Sequence, residues 1–288
     1  MMNKKITLLL IIALLAVSTS PIIGRALDSV SSVSISFWRM FIAGSALWIF
    51  SFLRPQGKMK LTHNIKKTIY AGILLGIHFL LFFEAIKITK ISNATFLGTL
   101  APFFTLIVEY FFLKRFYDKK VLLGLFFTII GSLVIIGHQF DLSSEYTLGN
   151  LYAILCSISI AASLMIGESI RKNEDTIVYT RTLYMSAALT LFFIAIISEE
   201  QLIGYNNNEY LGLIFLGLVP TILGHNAIYY SLRYVSPTIV AAFPLGEPII
   251  ATILAYFIFF ESITLNIFIG GSITFVGLIL ISLYKKIK

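Results

Sequence analysis

The chain has 288 residues, of which 58% are hydrophobic and only 12% charged, with a mean hydropathy of +0.90. A soluble domain carries about 25% charged residues, so this much apolar surface has to face lipid rather than water. The net charge of +8 follows the loops, as shown below, and excludes a nucleic-acid partner as its cause; the single cysteine, Cys156, excludes an intrachain disulfide or a cysteine-based metal centre.

Runs of about 20 apolar residues place ten spans at 6–27, 33–53, 67–88, 91–113, 120–138, 147–170, 176–198, 210–232, 236–260 and 264–284. The runs are continuous, without the period-two alternation of a barrel strand. Helices are therefore the one way to satisfy the backbone in lipid. In chain order, span 1 begins like a signal peptide at Met1–Lys5, yet its apolar run continues past Pro21 to Leu27 and is expected to stay as a span. Span 2 carries Trp38 and Arg39. The arginine lies only about six residues, roughly 9 Å, from the span's start. It can hold a substrate carboxylate bidentately or snorkel to the interface, and the second reading is favoured. Span 3 holds Gly72 and Gly76 and, near its middle, His78; Glu84 lies near its end. Span 4 contains Pro102, with Glu109 expected at the interface.

Spans 5 and 10 carry glycines seven residues apart, Gly124/Gly131 and Gly270/Gly277. Such spacing fits close helix packing, and these two spans also offer a face for a possible homodimer. Glu168 falls near the end of span 6 and is expected at the interface. Span 7 carries Tyr179 and Arg181. Span 8 carries Pro220, His225, Asn226, Tyr229 and Tyr230. Span 9 holds the sharpest candidate, Glu247, about twelve residues in and flanked by Pro244 and Pro248. Each proline removes a backbone donor and frees a carbonyl one turn back. A midplane carboxyl beside free carbonyls suits a cation, an amine or a proton, or else a structural bond to a neighbouring helix. The two histidines suit either a proton relay or hydrogen-bonded packing. No metal site is expected from them. Trp38, Tyr179, Tyr229 and Tyr230 are candidates for an aromatic pocket, and Pro21 and Pro220 for packing kinks.

Of the 22 Lys and Arg, 17 lie at the termini and in the even-numbered loops; Lys87 and Lys90 lie on the other side, and Arg25, Arg39 and Arg181 within spans. The positive-inside rule then puts both termini in the cytoplasm of a multi-pass cell-membrane protein. Sliding the chain on itself by 146 residues sets Pro102 on Pro248, Tyr110 on Tyr256, Gly124 on Gly270, Thr128 on Thr274 and Gly131 on Gly277. Shifts of 142 and 143 set Arg39 on Arg181 and Gly24 on Gly167. His78 and His225 fall one residue out of register. Two repeats follow, residues 1–140 and 146–288. Each has five spans, an odd number, so the second enters the membrane inverted. Inverted repeats place a binding site near the midplane.

Two segments resemble the drug/metabolite transporter superfamily, specifically its EamA-type members. One is the stretch from Ser92, containing "ATFLGTLAPFFTLIVEYFFLKR"; the other is Thr238 to Glu261, "TIVAAFPLGEPIIATILAYFIFFE", with Glu247, Pro248 and Glu261. The resemblance covers essentially the whole chain. It implies an all-α fold of ten helices in two EamA-like halves and export of small organic metabolites, such as amino acids. The first half has Arg115 where the second has Glu261, and both are expected at the membrane surface. No Walker loop is present, so gradients or facilitated flow must drive transport. HExxH and GxSxG motifs are absent too, which counts against an intramembrane enzyme. A lipid flippase or channel is the other alternative. No cofactor is implied, and the expected partners are membrane lipid and a small organic solute.

Overall fold

The computed structural model describes residues 2–137, 142–260, 263 and 265–283. Ten helices in it are long and apolar enough to cross a bilayer: α1 (Lys4–Ala26), α2 (Ser32–Leu53), α3 (Thr62–Ile88), α4 (Asn93–Phe111), α5 (Lys119–Ile136), α6 (Ser144–Arg171), α7 (Thr176–Ile197), α8 (Asn207–Ser231), α9 (Pro237–Phe259) and α10 (Leu265–Ser282). No strand occurs among the described residues. Several starts are set by short polar side chains that take up an orphan N–H. Asn3 accepts from the Lys5 amide at 2.9 Å and Asp118 from Lys120 at 2.8 Å. Asn206 and Glu209 form a reciprocal capping box at α8. Helix α3 starts five residues before its apolar run, so Lys66 and Lys67 stand exposed on its first turns. Glu174 fixes the approach to it, accepting from the Lys60 and Leu61 amides and from Asn64 Nδ2 at 2.8 Å.

The packing has an internal two-fold character. Helix α3 lies along α6, and α8 lies along α1; α2 packs on α7, α4 on α9 and α5 on α10. Exchanging the first five helices for the last five reproduces each of these pairs. The α5–α10 contact also shows the inverted direction. A Cβ on Gly124 would meet the Gly277 carbonyl at 2.8 Å, while one on Gly131 would meet the Gly270 carbonyl at 2.6 Å. The chain numbers climb on one helix as they fall on the other, so the two run antiparallel with their backbones in contact. Both glycine faces are thus used within the chain. Gly72 and Gly76 let α3 approach α7, where an added Cβ would meet the Leu183 carbonyl at 2.6 Å and the Ala187 carbonyl at 3.1 Å.

Four spans are interrupted, each beside a proline. Helix α1 breaks between Val17 and Ser20. Helix α4 breaks at Thr99 and Leu100, and α9 at a 3-10 turn, Phe243–Gly246. Helix α8 widens into a π-helical stretch, Gly217–His225, around Pro220. His225 closes this stretch. Irregular backbone at membrane depth persists only where protein or a cavity satisfies it. Ser157 donates to the Leu97 carbonyl, and Ser132 donates to the Leu245 carbonyl at 2.7 Å.

Candidate functional site: a central cavity with opposite charges

The four interruptions border one cavity, to which α2, α3 and α6 also contribute. Its polar lining is Ser20, Arg39, His78, Thr99, His225 and Glu247; Phe79, Phe82, Ile160 and Leu164 supply much of the apolar wall.

Arg39 is not at the interface, as its short distance from the span's start had suggested. It is 1% exposed. The guanidinium lies 3.9 Å over the ring of Phe79, a cation–π contact strengthened by desolvation. Nε donates to Thr221 Oγ1 at 2.9 Å, and Nη1 donates to Ser20 Oγ. Thr221 is itself placed by the π stretch, donating back to the Leu216 carbonyl at 2.8 Å. Turns in α1 and α8 therefore pull the side chain inward instead of letting it snorkel. Nη2 is left without a protein partner among the described residues.

Glu247 opens the second half of α9, with Pro248 just behind it, where a carboxyl complements the helix dipole. It is 6% exposed, and its Oε1 has no hydrogen-bond partner. No ion pair joins it to Arg39, although both border the cavity. His225 is equally buried, and its Nδ1 is also unpartnered. His78 differs: its Nδ1 lies 3.0 Å from the Cys156 carbonyl oxygen, the hydrogen-bonded packing expected of a core histidine. Buried polar groups are nearly always paired; of the seven buried side-chain atoms without a partner among the described residues, those of Glu247 and His225 are the two on residues that line the cavity.

Other sequence candidates lie elsewhere. Arg181, the repeat partner of Arg39, donates Nη2 to the Gly57 carbonyl at 2.7 Å and sits 4.4 Å over Trp48. Trp38 donates Nε1 to the Leu202 carbonyl at 2.7 Å. Asn226 accepts from the Tyr184 hydroxyl at 2.9 Å. Tyr229 packs with Tyr179 at 5.5 Å between ring centroids, and Tyr230 sits beside Lys5 near the chain's start. The aromatic wall of the cavity is Phe79 and Phe82 instead. Pro244 lines the cavity, whereas Pro21, Pro102, Pro220 and Pro248 act through the breaks they flank. Ser20 and Thr221, which hold Arg39, escape sequence reasoning because a single hydroxyl in an apolar run carries no pattern.

Glu109 and Glu168 lie near the ends of their helices, where both are buried by neighbouring side chains. Glu109 is fully buried and joins the end of α4 to the start of α9. It accepts from Arg115 Nη1 at 2.7 Å, the Tyr117 hydroxyl at 2.5 Å, the Thr238 amide at 3.2 Å and the Thr238 hydroxyl. Arg115 also reaches Glu168 on α6 at 2.9 Å. Burial opposes the charge on Arg115, but its hydrogen bonds to Glu168 and Glu109 outweigh that and raise its pKa. Burial, then the Glu109 charge, pushes the Tyr117 phenol up. Glu261, the repeat partner of Arg115, lies outside the described residues.

Comparison with known proteins agrees with this architecture. The profile of the EamA-like transporter family matches residues 3–137 and again 147–283. An uncharacterized transporter of Archaeoglobus fulgidus is 26% identical over 257 residues, covering 86% of each chain. The uncharacterized transporter YdfC of Bacillus subtilis is 24% identical, covering 90% of this chain and 85% of its own. The pseudopaline exporter CntI of Pseudomonas aeruginosa is 22% identical over 76% of this chain and 75% of its own. A solved crystal structure superimposes with a TM-score of 0.81 over 96% of both chains, at 17% identity, and so shares the fold. With both halves matched, the chain belongs to the EamA-like transporter family.

Proposed function

We propose that this transporter exports amino acids or related small organic metabolites from the cytoplasm by alternating access, through motion of residues 1–140 against residues 146–288. The observation that carries the reading is the unpartnered carboxyl oxygen of Glu247 on a central cavity that also holds Arg39. A buried ionisable group without a partner is too costly to be retained for packing alone. The antiparallel halves and broken helices supply the mechanical basis, with the site at the interface of the repeats. The excess of Lys and Arg on the terminus-bearing side supports cytoplasmic termini, and the similarity to a pseudopaline exporter supports the direction.

Counterflow in proteoliposomes tests this. Purified protein and a panel of labelled amino acids and other amphipathic metabolites should give saturable uptake, accelerated by the same solute inside. Glu247→Gln should lower the rate or the affinity at least tenfold. Flux that never saturates would replace the carrier with a channel, and a chemically altered product would point to an intramembrane enzyme.

A further inference from the structure

We propose that the cavity grips its solute by both poles, the carboxylate on Arg39 Nη2 and the ammonium on Glu247 Oε1, and thereby selects net-neutral zwitterions with an apolar side chain. The assignment rests on the transporter reading above and names the part each residue plays in it.

Three observations carry it. First, among the described residues Arg39 and Glu247 are the only Asp, Glu, Lys or Arg on the cavity lining, and they have opposite signs. The two groups carry opposite charges when ionised, yet they do not pair with each other. An anion alone would satisfy Arg39 and leave Glu247 facing added negative charge. A cation alone would do the reverse. A zwitterion satisfies both, and a buried charge is tolerated only when it is paired. Second, the geometry leaves the required atoms open. Arg39 spends Nε and Nη1 on Thr221 and Ser20, which fixes the plane of the guanidinium against Phe79. Nη2 remains to donate to a carboxylate. Glu247 Oε1 has no donor from the protein. Third, much of the remaining wall is apolar, with Phe82, Ile160 and Leu164 facing the same space. A polar or charged side chain placed there would lose its hydration with little in return.

The test uses three probes of one carbon skeleton on the full-length protein in proteoliposomes. L-leucine carries both poles, leucine methyl ester only the ammonium, and 4-methylpentanoate only the carboxylate. Wild-type protein should show saturable leucine counterflow, with each single-pole analogue competing at least tenfold more weakly. Glu247→Gln should weaken leucine at least tenfold and bring 4-methylpentanoate to within about threefold of it, since the ammonium no longer contributes. Arg39→Gln should do the same for the methyl ester. Arg39→Lys, which keeps the positive charge, should preserve the wild-type order and guards against a folding defect in Arg39→Gln. Leucine counterflow with either analogue competing equally well would overturn the two-pole assignment while leaving the transporter reading intact. So would a leucine-to-acid gap unchanged by Glu247→Gln. Absence of counterflow with leucine, isoleucine and phenylalanine alike would sink the amino-acid reading and this assignment with it.

Discussion

Replacing Glu109 by glutamine probes the link between α4 and α9. The carboxylate is fully buried and accepts from four donors, one of them cationic. Each hydrogen bond to a charged group is worth about 1.5–3 kcal/mol, and losing one partner of a buried pair costs about 3–5 kcal/mol. Two features reduce the figure. The Arg115 side chain is 32% exposed, so water screens its share, and glutamine keeps one acceptor oxygen. A loss of roughly 2–3 kcal/mol remains. For a chain of 288 residues that is an apparent melting shift of roughly 3–5 °C. The assay is thermal unfolding of the purified protein in detergent, with Glu145→Gln, an exposed carboxyl, as the unchanged control. The same bonds tie the ends of α4 and α6 to the start of α9. Loosening them by about 2 kcal/mol shifts a two-state conformational balance about 30-fold toward opening there. Glu109→Gln melting with wild type, and transporting with unchanged kinetics, would refute the claim that this cluster holds the helices together.

Three further outcomes follow from the same structure. Gly131→Ala places a Cβ 2.5 Å from the Thr274 amide nitrogen and 2.6 Å from the Gly270 carbonyl, forcing α5 off α10 at a cost of about 1–3 kcal/mol; Gly271→Ala, whose nearest neighbour is Ile249 at 3.9 Å, should melt within a degree or two of wild type. Thr221→Val keeps the shape but removes the acceptor for Arg39 Nε. It should raise the solute KM several-fold with little change in melting temperature if the hydroxyl serves mainly to orient Arg39. Glu174 responds to pH. Burial opposes its charge, but the Lys60 amide, Asn64 and the Leu61 amide hold its pKa below the usual 4.5. Its contribution is complete above pH 4.5 and fades as pH falls through the lowered value. Protection of the Lys60 and Leu61 amides, taken relative to the intrinsic exchange rate at each pH, should therefore fall as pH drops below about 4.5, and Glu174→Gln should abolish that pH dependence.

Sequence alone determined the elements of this protein that depend on the solvent around the chain. A bilayer demands about 20 apolar residues and a closed backbone, so ten runs became ten helices. The glycine spacings of spans 5 and 10 recorded a backbone contact and its repeat. The Glu-Pro of span 9 pointed to the break at Glu247. The one-residue offset between His78 and His225 was visible in the sequence, whereas only the structure showed His225 at the end of a π-helical stretch. Tertiary structure decided which polar residues meet. Arg39 and Arg181 are equivalent in the repeat, yet one borders the cavity while the other holds the Gly57 carbonyl. Glu109 reads as a residue near a span end until Thr238, 129 positions away, closes over it. The physical reason is one of range. A span is specified by its own residues' transfer from water to lipid, summed along the chain. The surroundings of a buried charge are specified by neighbours far away in sequence, such as Thr221, 182 positions from Arg39, and only packing brings them within hydrogen-bond reach.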